Sequence, residues 1–318
     1  MGGIAHKMVK IAFVFPGQGS QYVGMGKQFF DTVPEARTMY EQAGEVLGID
    51  IASLCFNGPE ETLKMTENTQ PALLIHSIIA LKRLRESGID SVLSAGHSLG
   101  EYSALVAAGS LEFLDAVRLV RLRGKFMQEA VPLGVGAMAA IIGLPLDKIQ
   151  DLCDGVSSDD QIVQPANLNS AEQTVIAGHK EAVEKVSEQA RGSGAKKAIM
   201  LPVSAPFHCS LMKPAEIKLQ QELERSEFHD LSFPVITNIE AKPITQGIQA
   251  REALVKQVCS PVRWEETMQC MVDQGIRTVV ELGSGKVLSG LFRRFNREVV
   301  CHQVEDGESL ARTVEALK

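Results

Sequence analysis

The stretch SAGHSLGEYSAL, residues 94–105, places Ser98 between two glycines. The segment 92–95 predicts a strand and 99–108 predicts a helix, which is the setting of a nucleophile elbow. Glycines are needed there because side chains at those positions obstruct the tight turn and the approach of a substrate. The start of the helix also offers backbone N–H groups to a developing oxyanion. The stretch therefore predicts a serine nucleophile, the alternative being an ordinary loop.

Strand and helix patterns alternate on both sides of this stretch. The apolar run 9–15, ended by Pro16 and Gly17, predicts a buried strand. Other segments predict helices at 34–47, 71–86, 113–127 and 287–295, and strands at 233–237 and 277–281. Such alternation is typical of α/β proteins, in which helices cover both faces of a parallel sheet. The sequence therefore predicts an α/β fold.

The middle of the chain follows a different order. Strands are predicted at 137–142, 162–167, 174–178 and 197–202, with helices at 146–153 and 180–191. The order βαββαβ is that of the small ferredoxin-like unit. Proline-containing segments at 132–134 and 204–206 bracket it and suit crossings between two domains.

The length of 318 residues exceeds the size at which a single hydrophobic core usually stops growing. We therefore expect a small domain, 131–204, inserted into a larger domain formed by 8–130 and 205–318. Segment 1–7 precedes a second methionine, Met8, and is interpreted as a cloning remnant.

Composition excludes several classes of protein. A net charge of −7 argues against a general nucleic-acid binder, which normally carries a basic surface. No run of about 18 apolar residues is present, so no membrane span is expected. The six cysteines lie far apart with no CxxC pair, which disfavours a zinc site or a disulfide framework and suits free thiols in the cytoplasm.

A second glycine-containing loop, FPGQGSQ at 15–21, follows the first predicted strand. It is not a dinucleotide fingerprint, because Tyr22 stands where the third glycine is required, and it lacks the Gly-Lys-Ser/Thr of a P-loop. Open sheets bind ligands at this end of their strands. The amide near Gln18 is therefore a candidate to complete an oxyanion hole with the amide of Leu99, the alternative being a plain turn.

A serine nucleophile needs a base, and the chain has seven histidines. His208 lies in a proline-containing loop where the chain re-enters the predicted large domain, so it is the best candidate, the alternative being a structural histidine. His97 directly precedes Ser98 and is placed to flank the site. Cys209 is a competing nucleophile, but no glycine elbow exposes it.

Arg123 lies on the apolar side of the predicted helix 113–127, with Ala116, Leu119 and Met127. An inward guanidinium must meet an anion or remain as a costly unpaired charge. Its planar fork suits a carboxylate, with which it makes two parallel hydrogen bonds. Geometry alone leaves two alternatives open, a substrate carboxylate and an internal ion pair.

Six motifs together resemble the malonyl-CoA:acyl carrier protein transacylases of bacterial fatty-acid synthesis. They occur in the order GQGSQ, GHSLGEYSAL, LRGKFMQEAVP, NSAEQTVIAG, PFHCSLMKP and QVCSPVRW, and the resemblance runs from Met8 to about residue 295. It implies an α/β-hydrolase-like large domain with a parallel sheet and an inserted ferredoxin-like small domain, as the periodicity predicts.

The resemblance also implies roles for individual residues. Ser98 matches the acyl-accepting nucleophile and His208 its base. The remaining matches are Gln18 and Leu99 as backbone oxyanion donors, Arg123 as the malonyl carboxylate ligand, Gln257 as the residue that orients the histidine through its main-chain carbonyl, and Asn167 as a site-lining residue. Phe207 stands where some bacterial members have serine, and it fits a bulky wall that rejects an α-methyl branch.

The implied activity is transfer of a malonyl group from malonyl-CoA to the phosphopantetheine thiol of acyl carrier protein, in the cytoplasm. A malonyl-serine intermediate makes the kinetics ping-pong, and neither metal nor cofactor is required. Two rivals remain open. The first is a serine thioesterase or esterase, which uses the same elbow and usually has an Asp or Glu that orients the histidine. The second is a non-catalytic module that binds carrier proteins, and such a module is expected to lack Ser98 or His208.

Overall fold

The computed structural model describes residues 10–203 and 205–318. The strands are β1 (Ile11–Phe15), β2 (Leu93–Gly96), β3 (Gly136–Ile142), β4 (Val163–Ser170), β5 (Gln173–His179), β6 (Lys197–Met200), β7 (Val235–Ile236), β8 (Pro243–Ile244), β9 (Thr278–Leu282) and β10 (Val300–Val304). The helices are α1 (Lys27–Thr32), α2 (Pro34–Leu47), α3 (Ile51–Asn57), α4 (Glu60–Lys64), α5 (Thr66–Glu86), α6 (Gly100–Ala107), α7 (Phe113–Glu129), α8 (Leu146–Val156), α9 (Lys180–Gly192), α10 (Lys213–Glu224), α11 (Gly247–Gln257), α12 (Trp264–Asp273), α13 (Val287–Phe295) and α14 (Gly307–Leu317).

Some sequence predictions fall on residues that the structure does not describe. These are the cloning remnant at 1–7, with Met8, the first residue of the predicted strand at Val9, and the crossing point at Ser204.

The larger sheet has six strands in the order β10-β9-β1-β2-β7-β8. All neighbouring pairs are parallel except β7 and β8, which are antiparallel. The central strands β1 and β2 are almost wholly buried because helices cover both faces of the sheet. The predicted α/β class is confirmed.

The smaller sheet has four antiparallel strands in the order β4-β5-β3-β6. Together with α8 and α9 it has the predicted βαββαβ order. Side chains of β3 alternate between its two faces: Ala139 and Ile141 pack with α8 and α9, whereas Met138 and Ala140 join the core of the larger unit. This second face supplies one wall of the site described below.

Several predicted bounds were wrong for local reasons. The strand predicted at 197–202 ends at Met200, since Pro202 has no N–H for the sheet. The strand predicted to end at 167 continues to Ser170, with register shifts on both sides of Asn167. The nine elements not predicted were β8, β10, α1, α3, α4, α10, α11, α12 and α14.

The helix predicted to begin at Pro71 begins at Thr66 instead, so the proline lies inside α5. An internal proline leaves the carbonyl four residues earlier without its helical donor. That carbonyl belongs to Glu67, and it accepts a hydrogen bond of 3.2 Å from Nη1 of Arg121 on α7. The start of α5 is therefore stabilised by the helix that carries Arg123.

Candidate active site

The turn between β2 and α6 holds Ser98 in a left-handed backbone conformation, with φ of 52°. A Cβ at Gly96 would overlap the backbone of Gly100, and one at Gly100 would overlap the carbonyl of Phe15 at the end of β1. Only glycine allows these three backbone segments to approach so closely. The serine is presented at the carboxyl edge of the sheet, as the sequence predicts.

Ser98 and His208 meet across 110 positions of the chain. Ser98 Oγ lies 2.7 Å from His208 Nε2, and His208 Nδ1 lies 2.9 Å from the backbone oxygen of Gln257. A carbonyl oxygen only accepts, so Nδ1 carries the proton and Nε2 accepts from the serine hydroxyl. This is the protonation state required of a base toward Ser98.

Burial governs the protonation of this histidine. His208 is 3% exposed. Burial, and secondly the charge of Arg123, lower the pKa of His208 to about 3. The ring is therefore neutral at physiological pH. An anion bound to Arg123 would offset the positive charge of the guanidinium and so raise the pKa of His208.

Arg123 is held by neutral oxygens. Its Nη2 donates to Ser98 Oγ at 3.0 Å and to Gln257 Oε1 at 2.9 Å, and its Nη1 donates to Gln70 Oε1 at 2.8 Å. Within the described residues no carboxylate forms an ion pair with it, so the internal ion pair left open by the sequence does not form. The inward guanidinium keeps its charge available beside the serine.

A catalytic cavity of about 110 Å³ surrounds these groups. Its lining includes every predicted site residue except Gln257, which is fully buried behind Arg123 and His208. The complete lining is Gln18, Gln70, His97, Ser98, Leu99, Arg123, Met127, Met138, Asn167, Leu201, Val203, Phe207 and His208.

Gln18 and Leu99, whose backbone amides are predicted as oxyanion donors, both line this cavity. They follow the adjacent parallel strands β1 and β2, whose ends pair at Phe15 and Gly96. Neither N–H donates to an acceptor in the described part of the chain. Both are therefore free to bind an oxyanion.

The three other predicted lining residues are packed into the wall. His97 Nε2 donates to Asn169 Oδ1 at 2.8 Å, and its ring lies 5.5 Å from that of Trp264. Asn167 and Phe207 are each 8% exposed and border the cavity. His97 therefore supports the wall, and the hydrogen bonds of Ser98 Oγ within the described residues go to His208 and Arg123 instead.

An outer cavity of about 640 Å³ adjoins the catalytic cavity through Gln18 and Val203. It lies between the start of α5, the end of α7 and the segment before Ser204. Its lining is Gln18, Glu61, Lys64, Met65, Thr66, Glu67, Lys125, Gln128, Glu129, Leu133, Pro202 and Val203. The two cavities therefore meet at Gln18 and Val203.

The sequence analysis missed four polar residues that contact the site. Gln70 and Asn169 bind Arg123 and His97, as described above. Asn238 Oδ1 accepts from the N–H of Ser98 at 2.7 Å, and Glu101 accepts from Gln257 and Asn238. A signal was present for Asn238, because it directly follows the strand predicted at 233–237, and β7 lies beside β2.

Cys209, the competing nucleophile, is buried. Its thiol donates to the carbonyl of Pro206 at 3.1 Å, and burial raises its pKa to about 12. A thiol with a raised pKa is a poor nucleophile. Among residues 10–203 and 205–318, no cluster of three metal-ligating side chains occurs, and no helix combines the length and the apolar character needed to cross a membrane.

Comparison with known proteins gives concordant matches. The acyl transferase domain family matches residues 12–308. The malonyl CoA-acyl carrier protein transacylase of Bacillus subtilis is 48% identical over 311 residues, which cover 98% of this chain and 98% of the relative. The enzyme of the same name from Escherichia coli K12 is 47% identical over 310 residues, which cover 97% of this chain and 100% of the relative.

Solved structures agree with these matches. The malonyl CoA-acyl carrier protein transacylase of Coxiella burnetii superposes with a TM-score of 0.95 at 42% identity, covering 97% of this chain and 98% of that one. A malonyl-transacylase in complex with its type II PKS acyl-carrier protein has a TM-score of 0.94 at 46% identity, covering 96% and 99%.

Proposed function

The chain belongs to the malonyl CoA-acyl carrier protein transacylases of the acyl transferase domain family, and we propose that Ser98 and His208 carry its reaction. It transfers a malonyl group from malonyl-CoA to the phosphopantetheine thiol of acyl carrier protein, which supplies the extender unit for fatty-acid synthesis. One observation carries the assignment of residues: Ser98 Oγ is hydrogen-bonded to both the His208 imidazole and the Arg123 guanidinium.

In the first half-reaction, Ser98 Oγ attacks the thioester carbonyl of malonyl-CoA while His208 Nε2 takes the hydroxyl proton. The amides of Gln18 and Leu99 stabilise the oxyanion, each by about 3 kcal/mol. The C–S bond then breaks, and the coenzyme A sulfur receives the proton from His208. A malonyl ester remains on Ser98.

In the second half-reaction, the phosphopantetheine thiol replaces coenzyme A. His208 takes the thiol proton, the sulfur attacks the malonyl ester, and the C–O bond to Ser98 breaks as His208 returns the proton. Because the acyl group waits on the enzyme between two substrates, the kinetics are ping-pong. The steps need no metal or cofactor.

Arg123 is proposed to select the acyl group. Its Nη2 lies beside Ser98 Oγ, in the cavity where the malonyl group would bind, and its hydrogen-bond partners are all neutral, so no carboxylate occupies its fork. A donor lacking the carboxylate leaves that buried charge unpaired, which makes acetyl-CoA a poor substrate. Phe207, in the wall of the same cavity, is proposed to exclude a branched malonyl group.

The arrangement of domains explains the approach of the substrate. We propose that the chain forms a large domain from 8–130 and 205–318 and a small inserted domain from 131–204, and the two separate sheets support this division. The outer cavity lies beside the crossings between these parts, and we propose that the phosphopantetheine arm enters through it. A cytoplasmic location is part of the same proposal, supported by six cysteines that are all free.

A serine thioesterase is the second candidate function. Such an enzyme usually steadies its histidine with an acid, whereas His208 Nδ1 donates to the main-chain oxygen of Gln257. Release of free malonate at the rate of thiol transfer would favour this alternative. A non-catalytic binding module is disfavoured because Ser98 and His208 are both present and hydrogen-bonded.

Mass spectrometry after mixing the protein with malonyl-CoA tests the nucleophile. The expected result is an added malonyl group on the peptide containing Ser98, and none in Ser98→Ala, because no other activated hydroxyl borders the cavity in the described residues. A labelled peptide containing Cys209, or an adduct that persists in Ser98→Ala, would overturn the assignment.

A further inference from the structure

Glu101 is a buried carboxylate that the mechanism does not use. It lies in the first turn of α6, is 1% exposed, and is absent from the lining of the catalytic cavity. An acid in such a place is costly unless its oxygens serve other groups. The oxygens of this carboxylate are therefore expected to accept hydrogen bonds from buried donors.

One oxygen of Glu101 accepts two hydrogen bonds. Oε2 accepts from the side-chain Nε2 of Gln257 at 2.8 Å and from the backbone N–H of Asn238 at 2.9 Å. Gln257 Nε2 also donates to the backbone oxygen of Ser98 at 3.0 Å. The amino end of the Gln257 side chain is thus directed toward Glu101 and the elbow.

The other end of the same amide faces Arg123. Gln257 Oε1 accepts from Arg123 Nη2 at 2.9 Å. An amide turned by 180° would present its NH₂ group, a donor, to a guanidinium that only donates. Arg123 would then lose an acceptor on the nitrogen that also contacts Ser98, so the direction of this amide fixes the guanidinium.

Asn238 links Glu101 to the nucleophile by a second route. Its Oδ1 accepts from the N–H of Ser98 at 2.7 Å, and its Nδ2 donates to the oxygen of Gly96 at 2.7 Å. The N–H and the C=O of Ser98 are therefore both held by side chains whose own positions depend on Glu101.

We propose that Glu101 is a positioning residue for donor selection: by accepting from Gln257 and Asn238 it fixes the direction of the Gln257 amide, and thereby holds Arg123 where it recognises the carboxylate of the acyl donor. This inference rests on the proposed function of Arg123. Glu101 lines neither the catalytic cavity nor the outer cavity, so its effect on Arg123 is transmitted through Gln257, whereas Asn238 transmits only its effect on the turn at Ser98.

The position of the acceptor oxygen, rather than its charge, is the contribution of Glu101. Burial raises the pKa of Glu101 to about 7, against the opposing effects of its hydrogen bonds and of Arg123, so near neutral pH the group is only partly ionised. Both bonds go to one oxygen, and a glutamine side chain can place its carbonyl oxygen at the same point.

The test compares kcat/KM for malonyl-CoA with kcat/KM for acetyl-CoA in the full-length protein. Glu101→Met keeps the approximate volume but removes the acceptor, and it should lower the malonyl-to-acetyl ratio about tenfold or more. Glu101→Gln keeps the acceptor and should retain the ratio within about threefold. Glu281→Met is the matched control, because Glu281 is also fully buried but accepts only from the start of α13.

A double-mutant cycle with Gln257→Ala tests the route, since that variant keeps the main-chain oxygen that holds His208. Glu101→Met added to Gln257→Ala should not lower the ratio further. An unchanged ratio in Glu101→Met, or a ratio in Glu281→Met that falls equally, would overturn the proposal. If Glu101→Met does not fold, Glu101→Asp replaces it in the test. The shorter side chain withdraws the acceptor oxygen from Gln257, so Glu101→Asp should lower the malonyl-to-acetyl ratio while Glu101→Gln retains it.

The wild-type measurement separates the two proposals. A wild-type protein without preference for malonyl-CoA, or without the Ser98 adduct, would contradict the proposed function itself. A wild-type preference that Glu101→Met and Glu101→Asp leave intact would contradict only the role of Glu101.

Discussion

The guanidinium of Arg123 is held by neutral partners, which leaves it available for the carboxylate that we propose it binds. Two amide oxygens, from Gln70 and Gln257, fix its fork without neutralising it, and the ring of Tyr102 lies 5.7 Å from its central carbon. A carboxylate in either amide position would have satisfied the arginine and removed its use for substrate binding.

Replacing Arg123 by alanine should abolish the choice of donor. The two charge-assisted hydrogen bonds to a carboxylate are worth about 1.5–3 kcal/mol each, so the malonyl-to-acetyl ratio of kcat/KM should fall by at least about 100-fold. Arg118→Ala is the control on the same helix, because Arg118 pairs with Glu222 outside the cavity. Unchanged selectivity in Arg123→Ala would remove this residue from the mechanism.

At the scale of elements, the strand-to-helix turn depends on the close approach of three backbone segments, which are the ends of β1 and β2 and the start of α6. Residues after β1, β2 and β7 supply Gln18, Ser98 and Asn238, and these strands are neighbours in the parallel sheet. Their carboxyl ends therefore meet at one edge, which is where open α/β sheets bind ligands.

Gly96→Ala should disrupt this turn. Its Cβ would overlap the Gly100 backbone, so the variant is expected to lose about 3 kcal/mol of unfolding free energy, together with most of its activity. Gly290→Ala in α13 is the control, since its Cβ meets nothing within 4 Å and should stabilise the helix by about 0.5–1 kcal/mol. Denaturant unfolding of both variants measures the difference, and equal stabilities would contradict the overlap.

At the scale of the whole molecule, buried neutral histidines link stability to pH. Burial lowers the pKa of His76, in the middle of α5, to about 4, and both of its ring nitrogens lack partners among the described residues. Between pH 6.5 and 4 the unfolded chain binds a proton that the native state does not. The free energy of unfolding therefore falls as the pH falls through this range.

His76→Leu should make that fall shallower by up to about 1.4 kcal/mol per pH unit. Urea unfolding at several pH values measures the slope, and His229→Gln, at a half-exposed histidine, is the control. The raised pKa of Glu101 increases the free energy of unfolding as the pH falls from 7 to 4.5. This contribution is the same in wild type and in His76→Leu, so it cancels when the two curves are compared. Parallel curves for wild type and His76→Leu would contradict this prediction.

Local patterns in the sequence were sufficient for much of the fold and part of the site. Apolar periodicity predicted the bounds of α2 and α13 correctly, and it predicted the order of most strands and helices along the chain. It could do so because the residues on the buried face of one element are close together in the sequence. It failed for short helices such as α3 and α4, and for the start of α5, where a contact from Arg121 supports an internal proline.

The sequence by itself determined the α/β class, the elbow around Ser98 and the inward face of Arg123, since each depends on steric or apolar patterns within a few turns. Only the tertiary structure decided that Arg123 hydrogen-bonds to neutral groups, that His208 donates to a backbone oxygen, and that Glu101 and Asn238 hold the turn. These contacts join residues that are far apart in the chain, 49 positions for His208 and Gln257 and 156 for Glu101 and Gln257, and their geometry is set by how the strands and helices pack.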